Sequence, residues 1–127
     1  MLGYVTVGTS DLARSGRFYD PIAAVLGTGR MYTTDTMIIY GIEGGPPGIG
    51  VTFPHDGKPA SVGNGVMVAL ETTNRAQVDQ IHALALANGG TCEGPPGVRG
   101  EGDMFYAAYF RDPDGNKLCA LYRMPAA

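Results

Sequence analysis

The sequence predicts an α+β fold made of two copies of one strand–helix–three-strand unit in tandem (βαβββ). Near the start of the chain a short strand pattern leads into an amphipathic helical stripe, and the same order returns in the second half. Sliding the chain against itself by 63 residues places Val5 on Val68 and Gly27 on Gly90. The composition, 44% hydrophobic and 17% charged, allows a packed core in a chain of 127 residues.

The first unit begins with a strand at Tyr4–Val7, where apolar and polar side chains alternate. A helix follows, because Ser10 can cap its free amides and Asp11 complements its dipole. We expect Pro21 to kink or end this helix and Gly27 to stop the segment that follows. Two or three further strands are predicted within residues 31–40 and 49–53.

The second unit repeats this order. A strand at Val66–Leu70 is followed by a helix that ends at Gly89–Gly90, and then by strands within 91–92, 104–110 and 117–122. The sequence Gly-Pro-Pro-Gly occurs in both units, at 45–48 and 94–97, but its offset of 49 residues is out of phase with the duplication. We therefore attribute both occurrences to turns, which Pro and Gly favour.

The duplication divides the chain into a first module at 1–56, a linker at 57–64 and a second module at 65–127. A formal net charge of −3 and a pI of about 5.2 argue against nucleic acid as a partner. No apolar run approaches the ~18 residues that span a bilayer, and the start of the chain lacks a signal-peptide pattern. We therefore expect no membrane contact. Because Cys92 and Cys119 are too few for a disulfide framework, we also expect a cytoplasmic protein.

Three stretches carry a resemblance to a known family. The first strand leads into Ser10–Ser15 and Phe18-Tyr19, the second helix ends at Gly89–Gly90, and Phe110–Asn116 reads Phe-Arg-Asp-Pro-Asp-Gly-Asn. In these residues the chain resembles the vicinal oxygen chelate superfamily, which includes glyoxalase I, fosfomycin and bleomycin resistance proteins and extradiol dioxygenases. The resemblance implies two modules whose sheets form a U-shaped cleft for a small molecule, usually completed in a homodimer.

The resemblance also implies where a divalent metal would be held, and the expected ligands are missing. The first-strand position, often His in the family, is Tyr4, and its duplicate is Met67. The last-strand position, usually Glu, is Cys119, and only Ile38–Tyr40 lies near the third-strand Glu of glyoxalase I. Phenol and thioether groups are poor ligands for such ions at neutral pH. We therefore expect no metal at these positions and no other cofactor, with a metal on displaced ligands as the alternative.

Strand parity predicts which side chains face the cleft. The side chains expected to face the helices are Val5, Val7, Val68, Leu70, Leu118 and Ala120. Those expected to face the cleft and bind a ligand are Tyr4, Thr6, Tyr40, Met67, Ala69, Tyr109 (or Tyr106 in its place), Cys119 and Leu121. A pocket rich in tyrosine and apolar groups suits an aromatic or partly apolar small molecule.

Several functions are compatible with this pattern. The leading hypothesis is a glyoxalase-like homodimer that binds a small organic molecule without a metal. The alternatives are a metal-dependent lyase, isomerase or dioxygenase with displaced ligands, a metal-free acid–base enzyme, and an interaction module with a filled cleft. The candidate catalytic residues are Tyr4, Tyr40, Glu71 and Cys119, of which the cysteine would need a lowered pKa to act as a nucleophile.

Two arginines and two histidines are further candidates for contacting a ligand. Arg99 and Arg111 are candidates for contacting an anionic ligand at the rim of the cleft. His55 lies in the segment between the modules and is more simply a loop residue than a proton donor at the cleft mouth. His82 is expected to be a partly buried residue of the second helix.

Overall fold

The computed structural model describes residues 1–125, and its order of elements confirms the predicted fold class. Each half of the chain contains one strand, one helix and three further strands. The elements are β1 (Tyr4–Gly8), α1 (Leu12–Val25), β2 (Gly29–Thr33), β3 (Met37–Gly41), β4 (Gly48–Thr52), β5 (Val68–Glu71), α2 (Arg75–Ala87), β6 (Thr91–Val98), β7 (Phe105–Arg111) and β8 (Lys117–Arg123).

The strands form two four-stranded sheets with the same topology. The first sheet has the order β1-β4-β3-β2 and the second has the order β5-β8-β7-β6. In each sheet the opening strand pairs in parallel with the last strand of its unit, so that Thr6 lies beside Gly50 and Ala69 beside Cys119. The remaining pairs are antiparallel. Neither helix is long and apolar enough to cross a membrane, as far as residues 1–125 are concerned.

The helices begin at acidic or amide caps. Asp11, rather than the predicted Ser10, caps α1. Its carboxylate accepts a hydrogen bond from the backbone amide of Arg14 at 3.0 Å. In α2 the cap is Asn74, whose side chain accepts the amide of Gln77 at 2.8 Å. The two caps are 63 residues apart, which agrees with the predicted duplication.

The expectation that Pro21 would end α1 is wrong, because the helix continues through it to Val25, and a kink at this residue stays a prediction. Proline removes one backbone hydrogen bond and introduces a steric clash in a helix interior. Here the turn around Pro21 is held by the burial of Ile22 and Ala23, which are 2% and 5% exposed.

Both helices end at a glycine with left-handed backbone conformation. Gly27 has φ of 72° and Gly89 has φ of 95°, and the residue after each donates its amide to a carbonyl five positions back, at 3.0 and 2.8 Å. The predicted alignment of Gly27 with Gly90 is therefore off by one residue. The reason is that α2 has 13 residues where α1 has 14.

The two modules share one hydrophobic core. Helix α1 packs against α2, and the Phe18 ring lies 6.2 Å from that of Phe110 on the second sheet. All the side chains that parity assigned to the helix side belong to this core or pack against it: Val5, Val7, Val68, Leu70, Leu118 and Ala120. The core therefore lies between the helices and one face of each sheet.

The turn between β7 and β8 ties the second module to the first. The buried Asp112 accepts the hydroxyl of Tyr19 at 2.6 Å and the side-chain amide of Asn116 at 2.9 Å. Asn116 in turn donates to the carbonyl of Gly8 at 2.8 Å. Burial, together with the adjacent carboxylate, raises the pKa of Tyr19 well above its ordinary value.

The next acidic residue of this turn, Asp114, reaches the start of α1. Its carboxylate accepts the hydroxyl of Thr9 at 2.6 Å and the amide of Ser10 at 2.9 Å, and it forms an ion pair with Arg14 at 2.6 Å. Ser10 is thus engaged by the second module, which explains why the helix cap falls on the following residue.

The interpretation of both Gly-Pro-Pro-Gly segments as turns is wrong for the second one. Residues 45–48 connect β3 to β4, but 94–97 lie within β6, at the edge of the second sheet. Register shifts interrupt the pairing of β6 with β7 around Gly94 and Gly97. An edge strand with such irregularities tolerates proline because it needs fewer backbone donors.

Candidate functional site

Each sheet has one face against the helices and one face away from them. We call the latter the first outer face (Tyr4, Thr6, Ile39 and Gly50) and the second outer face (Ala69, Tyr109, Lys117, Cys119 and Leu121). Within the described chain no strand of the first sheet contacts a strand of the second. A single chain therefore does not bring the predicted cleft residues of the two modules together.

The first outer face is neutral and largely open. Tyr4 and Thr6 project from β1, and the neighbouring strand β4 contributes only Gly50 between Thr6 and Ile39. A Cβ at Gly50 would lie 3.2 Å from the Thr6 methyl and 3.4 Å from Ile39, so glycine keeps this part of the face shallow. Tyr4 is 58% exposed.

Tyr40 does not face the cleft, contrary to the prediction. It is 3% exposed on the helix side of the first sheet, and its hydroxyl donates to Asp20 of α1 at 2.6 Å. Arg30 also bonds Asp20, at 2.9 Å, and holds the pKa of that carboxyl below its usual range. Burial raises the pKa of Tyr40, with Asp20 adding to the effect. A tyrosine fits this buried face because Asp20 on the helix accepts a hydrogen bond from its hydroxyl.

The second outer face has a buried apolar floor. Cys119 and Leu121 are 1% and 6% exposed and lie beside Tyr109 and Ala107 of the neighbouring strand. Of the two tyrosines considered for the cleft, Tyr109 lies on this face. Tyr106 lies on the other face, where it donates to Asp79 of α2 at 2.6 Å.

Two cations lie against the Tyr109 ring. The Arg99 guanidinium carbon is 5.5 Å from the ring centroid and the Lys117 ammonium nitrogen is 5.7 Å from it. Arg99 lies along β6, where a Cβ at Gly97 would come within 2.9 Å of the guanidinium. The glycines of the second Gly-Pro-Pro-Gly segment thus provide the room that this side chain occupies.

Cys119 is not arranged as a nucleophile. Burial raises the pKa of its thiol, although the positive charges of Arg99 and Lys117 oppose that shift. A thiolate is the reactive form, so this environment suppresses reactivity. The structure therefore supports a structural role for this cysteine.

The remaining candidates lie on β5, just before it, or in the connection between the modules. Glu71 and Ala69 are exposed on β5, beside Leu121 and Cys119 respectively. Met67 precedes β5 and is 42% exposed. His55 is exposed in the connection between the modules, which has neither helix nor strand.

His82 is buried on α2, as expected for a helix residue. It lies 3.2 Å from the sulfur of Cys92, and burial lowers its pKa. The two rim arginines differ in their roles, because Arg111 forms an ion pair with Glu93. Arg99 has no carboxylate partner among residues 1–125.

A further groove within one described chain lies elsewhere. It has a volume of about 830 Å³ and lies between α1, the β3–β4 turn and the free edge of β5. Met67 and Ala69 line it, as does Tyr40, whereas Tyr4 and Cys119 do not. The predicted site residues are therefore divided among the two outer faces and this groove.

Sequence reasoning missed how Arg99, Tyr109 and Lys117 combine. Arg99 follows β6, Tyr109 lies in β7 and Lys117 lies in β8. Only the register of the strands brings them together. The signal in the sequence was the second Gly-Pro-Pro-Gly segment, followed closely by an arginine.

A model of the Glyoxalase/Bleomycin resistance protein/Dioxygenase superfamily matches residues 1–120. The chain belongs to this superfamily. It is 42% identical to a glyoxalase/bleomycin resistance protein from Albidiferax ferrireducens T118, with a TM-score of 0.88 over 98% of this chain and 99% of that one. No curated protein matches the chain.

More distant superfamily structures share the fold. A glyoxalase-related enzyme from Fulvimarina pelagi is 20% identical, with a TM-score of 0.74 over 97% of this chain and 88% of that one. A glyoxalase/bleomycin resistance protein/dioxygenase family enzyme from Burkholderia phytofirmans PsJN is 17% identical, with a TM-score of 0.72 over 96% and 98%. The resemblance inferred from the sequence motifs is confirmed.

The side chains at the positions where the sequence resemblance implies a metal do not fit a divalent ion. Tyr4 is a phenol, Met67 a thioether, and Cys119 a buried thiol with a raised pKa. Of the third-strand residues Ile38–Tyr40, only Ile39 belongs to the outer face. Among residues 1–125 no group of three His, Cys, Asp or Glu side chains lies close enough to hold a metal.

Proposed function

We propose that this chain is a small-molecule-binding member of the superfamily, with a cleft that forms between two copies and does not use the usual divalent ion. The observation that carries the proposal is the donor set at the metal positions. Tyr4, Met67 and Cys119 offer no carboxylate and no imidazole to a cation. Borderline divalent ions are held by several nitrogen, oxygen or thiolate ligands, and one buried thiol does not replace them.

A second copy would supply the missing half of the cleft. Each chain leaves a first outer face with the exposed Tyr4 and a second outer face with Tyr109, and it does not place them opposite each other. The edges of β1 and β5 are also free of strand partners in the described chain. A homodimer that sets one chain's first outer face opposite its partner's second outer face would form two equivalent clefts.

The lining of such a cleft favours a small organic ligand. Tyr4 and Thr6 would contribute hydroxyls, and Leu121 and Ala107 a flat apolar surface beside Tyr109. Pockets of this kind bind partly apolar molecules and orient them with a few polar groups. Both cysteines are free, which is consistent with a reducing compartment such as the cytoplasm.

Binding is better supported than catalysis. Burial raises the pKa values of Tyr40 and Cys119, which moves both groups away from proton transfer or nucleophilic attack near neutral pH. Tyr40 also lies outside the outer faces. Of the catalytic candidates, Tyr4 and Glu71 remain exposed, one on each outer face.

Metal analysis of protein purified without chelator tests the proposal. We expect nickel, zinc, iron and manganese each to remain well below one equivalent per chain. One equivalent of a tightly bound ion would overturn the metal-free cleft.

Light scattering tests the shared cleft. We expect a species of twice the 13.3 kDa chain mass. Ala69→Arg, on the second outer face, should weaken this dimer, whereas Ala83→Arg on the exposed side of α2 should not. A monomer at micromolar concentration, or equal effects of the two variants, contradicts the proposed assembly.

A further inference from the structure

The second outer face carries two cations outside any ion pair of the described chain, Arg99 and Lys117, and one exposed carboxylate, Glu71, which lies beside Leu121 towards the other end of β8. Arg99 and Lys117 have no carboxylate within ion-pair distance among residues 1–125, whereas Arg111 on the same face is paired with Glu93. The chain as a whole has a formal charge of −3, so this cationic pair runs against the overall balance. Two like charges beside one ring repel each other, and an anion between them would relieve that repulsion.

Arg99 is held in place before any ligand arrives. Its guanidinium donates to the carbonyls of Pro95 and Val98, and it lies in the space left by Gly94 and Gly97. An arginine has five N–H donors, so at least half of them remain available after these two bonds. A guanidinium fixed in this way loses little entropy when it binds a planar anion.

The surface beneath the cations is flat and apolar. Tyr109 is half-buried beside Cys119, and Leu121 lies beside the fully buried Ala107. The small side chain of Ala107 leaves the floor level between Tyr109 and Phe105. An aromatic or otherwise flat molecule could lie on this floor with one end at the cations.

We infer that the second outer face selects a small organic anion, whose acidic group is held by Arg99 and Lys117 and whose flat apolar body lies against Tyr109 and Leu121. The inference rests on the proposed function, because the partner's first outer face would close the cleft. That face contributes Tyr4 and Thr6 and no charged side chain, so the sign of the ligand is set by the second module. The shared chemistry is a carboxylate or phosphonate on a flat organic skeleton.

A matched pair of probes tests the inference. The probes are 2-naphthoate and its neutral analogue 2-naphthamide, titrated into the full chain at neutral pH and followed by amide chemical shifts. We expect naphthoate to bind about tenfold tighter or more, because hydrogen bonds to charged groups contribute about 1.5–3 kcal/mol. The shifts should centre on β6, β7 and β8.

Variants then locate the preference. Arg99→Gln and Lys117→Met should each reduce the affinity for naphthoate to near that for naphthamide, and Arg17→Gln, on the exposed side of α1, should leave both affinities unchanged. If Arg99→Gln does not fold, the Lys117→Met variant and the salt dependence of the wild type replace it. Salt at about 0.5 M should weaken naphthoate binding and not naphthamide binding.

The outcomes separate the inference from the proposed function. Equal affinity for the two probes, or naphthoate binding that survives both cation variants, would overturn the anion selectivity while leaving a metal-free binding cleft in place. Binding of neither probe would also overturn it. The proposed function itself fails on different readouts, which are a stoichiometric metal or a monomeric chain.

Discussion

The two modules have the same backbone plan but different outer faces. Their helices start at Asp11 and Asn74 and end before left-handed glycines, and their sheets have the same strand order. The strands of the first sheet contain one charged residue, Arg30, which pairs with Asp20 of α1, whereas those of the second contain five. The two copies thus agree where residues determine the chain path and differ where a ligand would be recognised.

The modules also differ in their last hairpin turn. In the first module residues 42–47 are exposed, and the acidic Glu43 makes no side-chain hydrogen bond among the described residues. In the second module Asp112 and Asp114 are both engaged with the opposite module. The turn of the second module therefore holds the two modules together, whereas Glu43 in the turn of the first module makes no such side-chain hydrogen bond among residues 1–125.

The largest expected effect comes from removing Asp112. Asp112→Ala leaves the buried Tyr19 hydroxyl and the Asn116 amide without their acceptor, and we expect a loss of about 3 kcal/mol in the free energy of unfolding. Glu43→Ala, the acidic residue of the first module's turn, should change it by less than about 0.5 kcal/mol. Urea denaturation measures both. Equal losses would mean that the two turns are equivalent after all.

Acidification should reveal the contribution of Asp114. Burial opposes its ionisation, but hydrogen bonds from Thr9 and Ser10 and the charge of Arg14 outweigh this and lower its pKa. The stability that it supplies is present above the ordinary aspartate pKa of about 4 and is lost as the pH falls through the lower folded value. Asp112, whose pKa is raised by burial, works in the opposite direction.

The difference between the wild type and Asp114→Asn therefore isolates this residue. We expect the variant to be about 2 kcal/mol less stable at neutral pH, with the difference shrinking towards pH ~2. Unfolding curves at several pH values measure it, and Asp35→Asn, in an exposed turn, is the control. A difference that does not depend on pH would assign the effect to packing rather than to charge.

The smallest effect distinguishes two tyrosines of the first sheet. Tyr40→Phe removes the hydrogen bond to Asp20 and should cost about 1 kcal/mol. Tyr4→Phe makes the same chemical change on the first outer face, where the hydroxyl has no partner among residues 1–125, and should leave stability unchanged. Thermal unfolding of the two variants side by side measures the contrast. A larger loss for Tyr4→Phe would place its hydroxyl in an assembly contact.

The sequence predicted the elements well because local rules govern them. Alternation in Val5 and Val7 identified a half-buried strand and its inner face, and the glycines after both helices marked their ends. The exceptions depend on distant residues. Ser10 is not the helix cap because Asp114 binds it, and Tyr40 faces inward because Asp20 lies across from it.

The candidate site was less predictable because it depends on register. Parity correctly placed Cys119, Leu121 and Tyr109 on one face of the second sheet. It could not show that Arg99 folds back along an irregular edge strand, so that it and Lys117 both lie against the Tyr109 ring. The direction in which a side chain extends across a bulged strand leaves no periodic pattern in the sequence.

The contact between Thr9 and Asp114 has a consequence for how the protein folds during its synthesis. The two residues are 105 positions apart, both carboxylates of that turn contact α1 or the residues just before it, and Asn116 of the same turn contacts the end of the opening strand. During synthesis the first module emerges early, yet the groups that complete its hydrogen bonds are made about a hundred residues later. Long-range closure of this kind slows folding. A nascent chain should hold its first sheet only loosely and become resistant to proteolysis in a single late step, when the final hairpin forms.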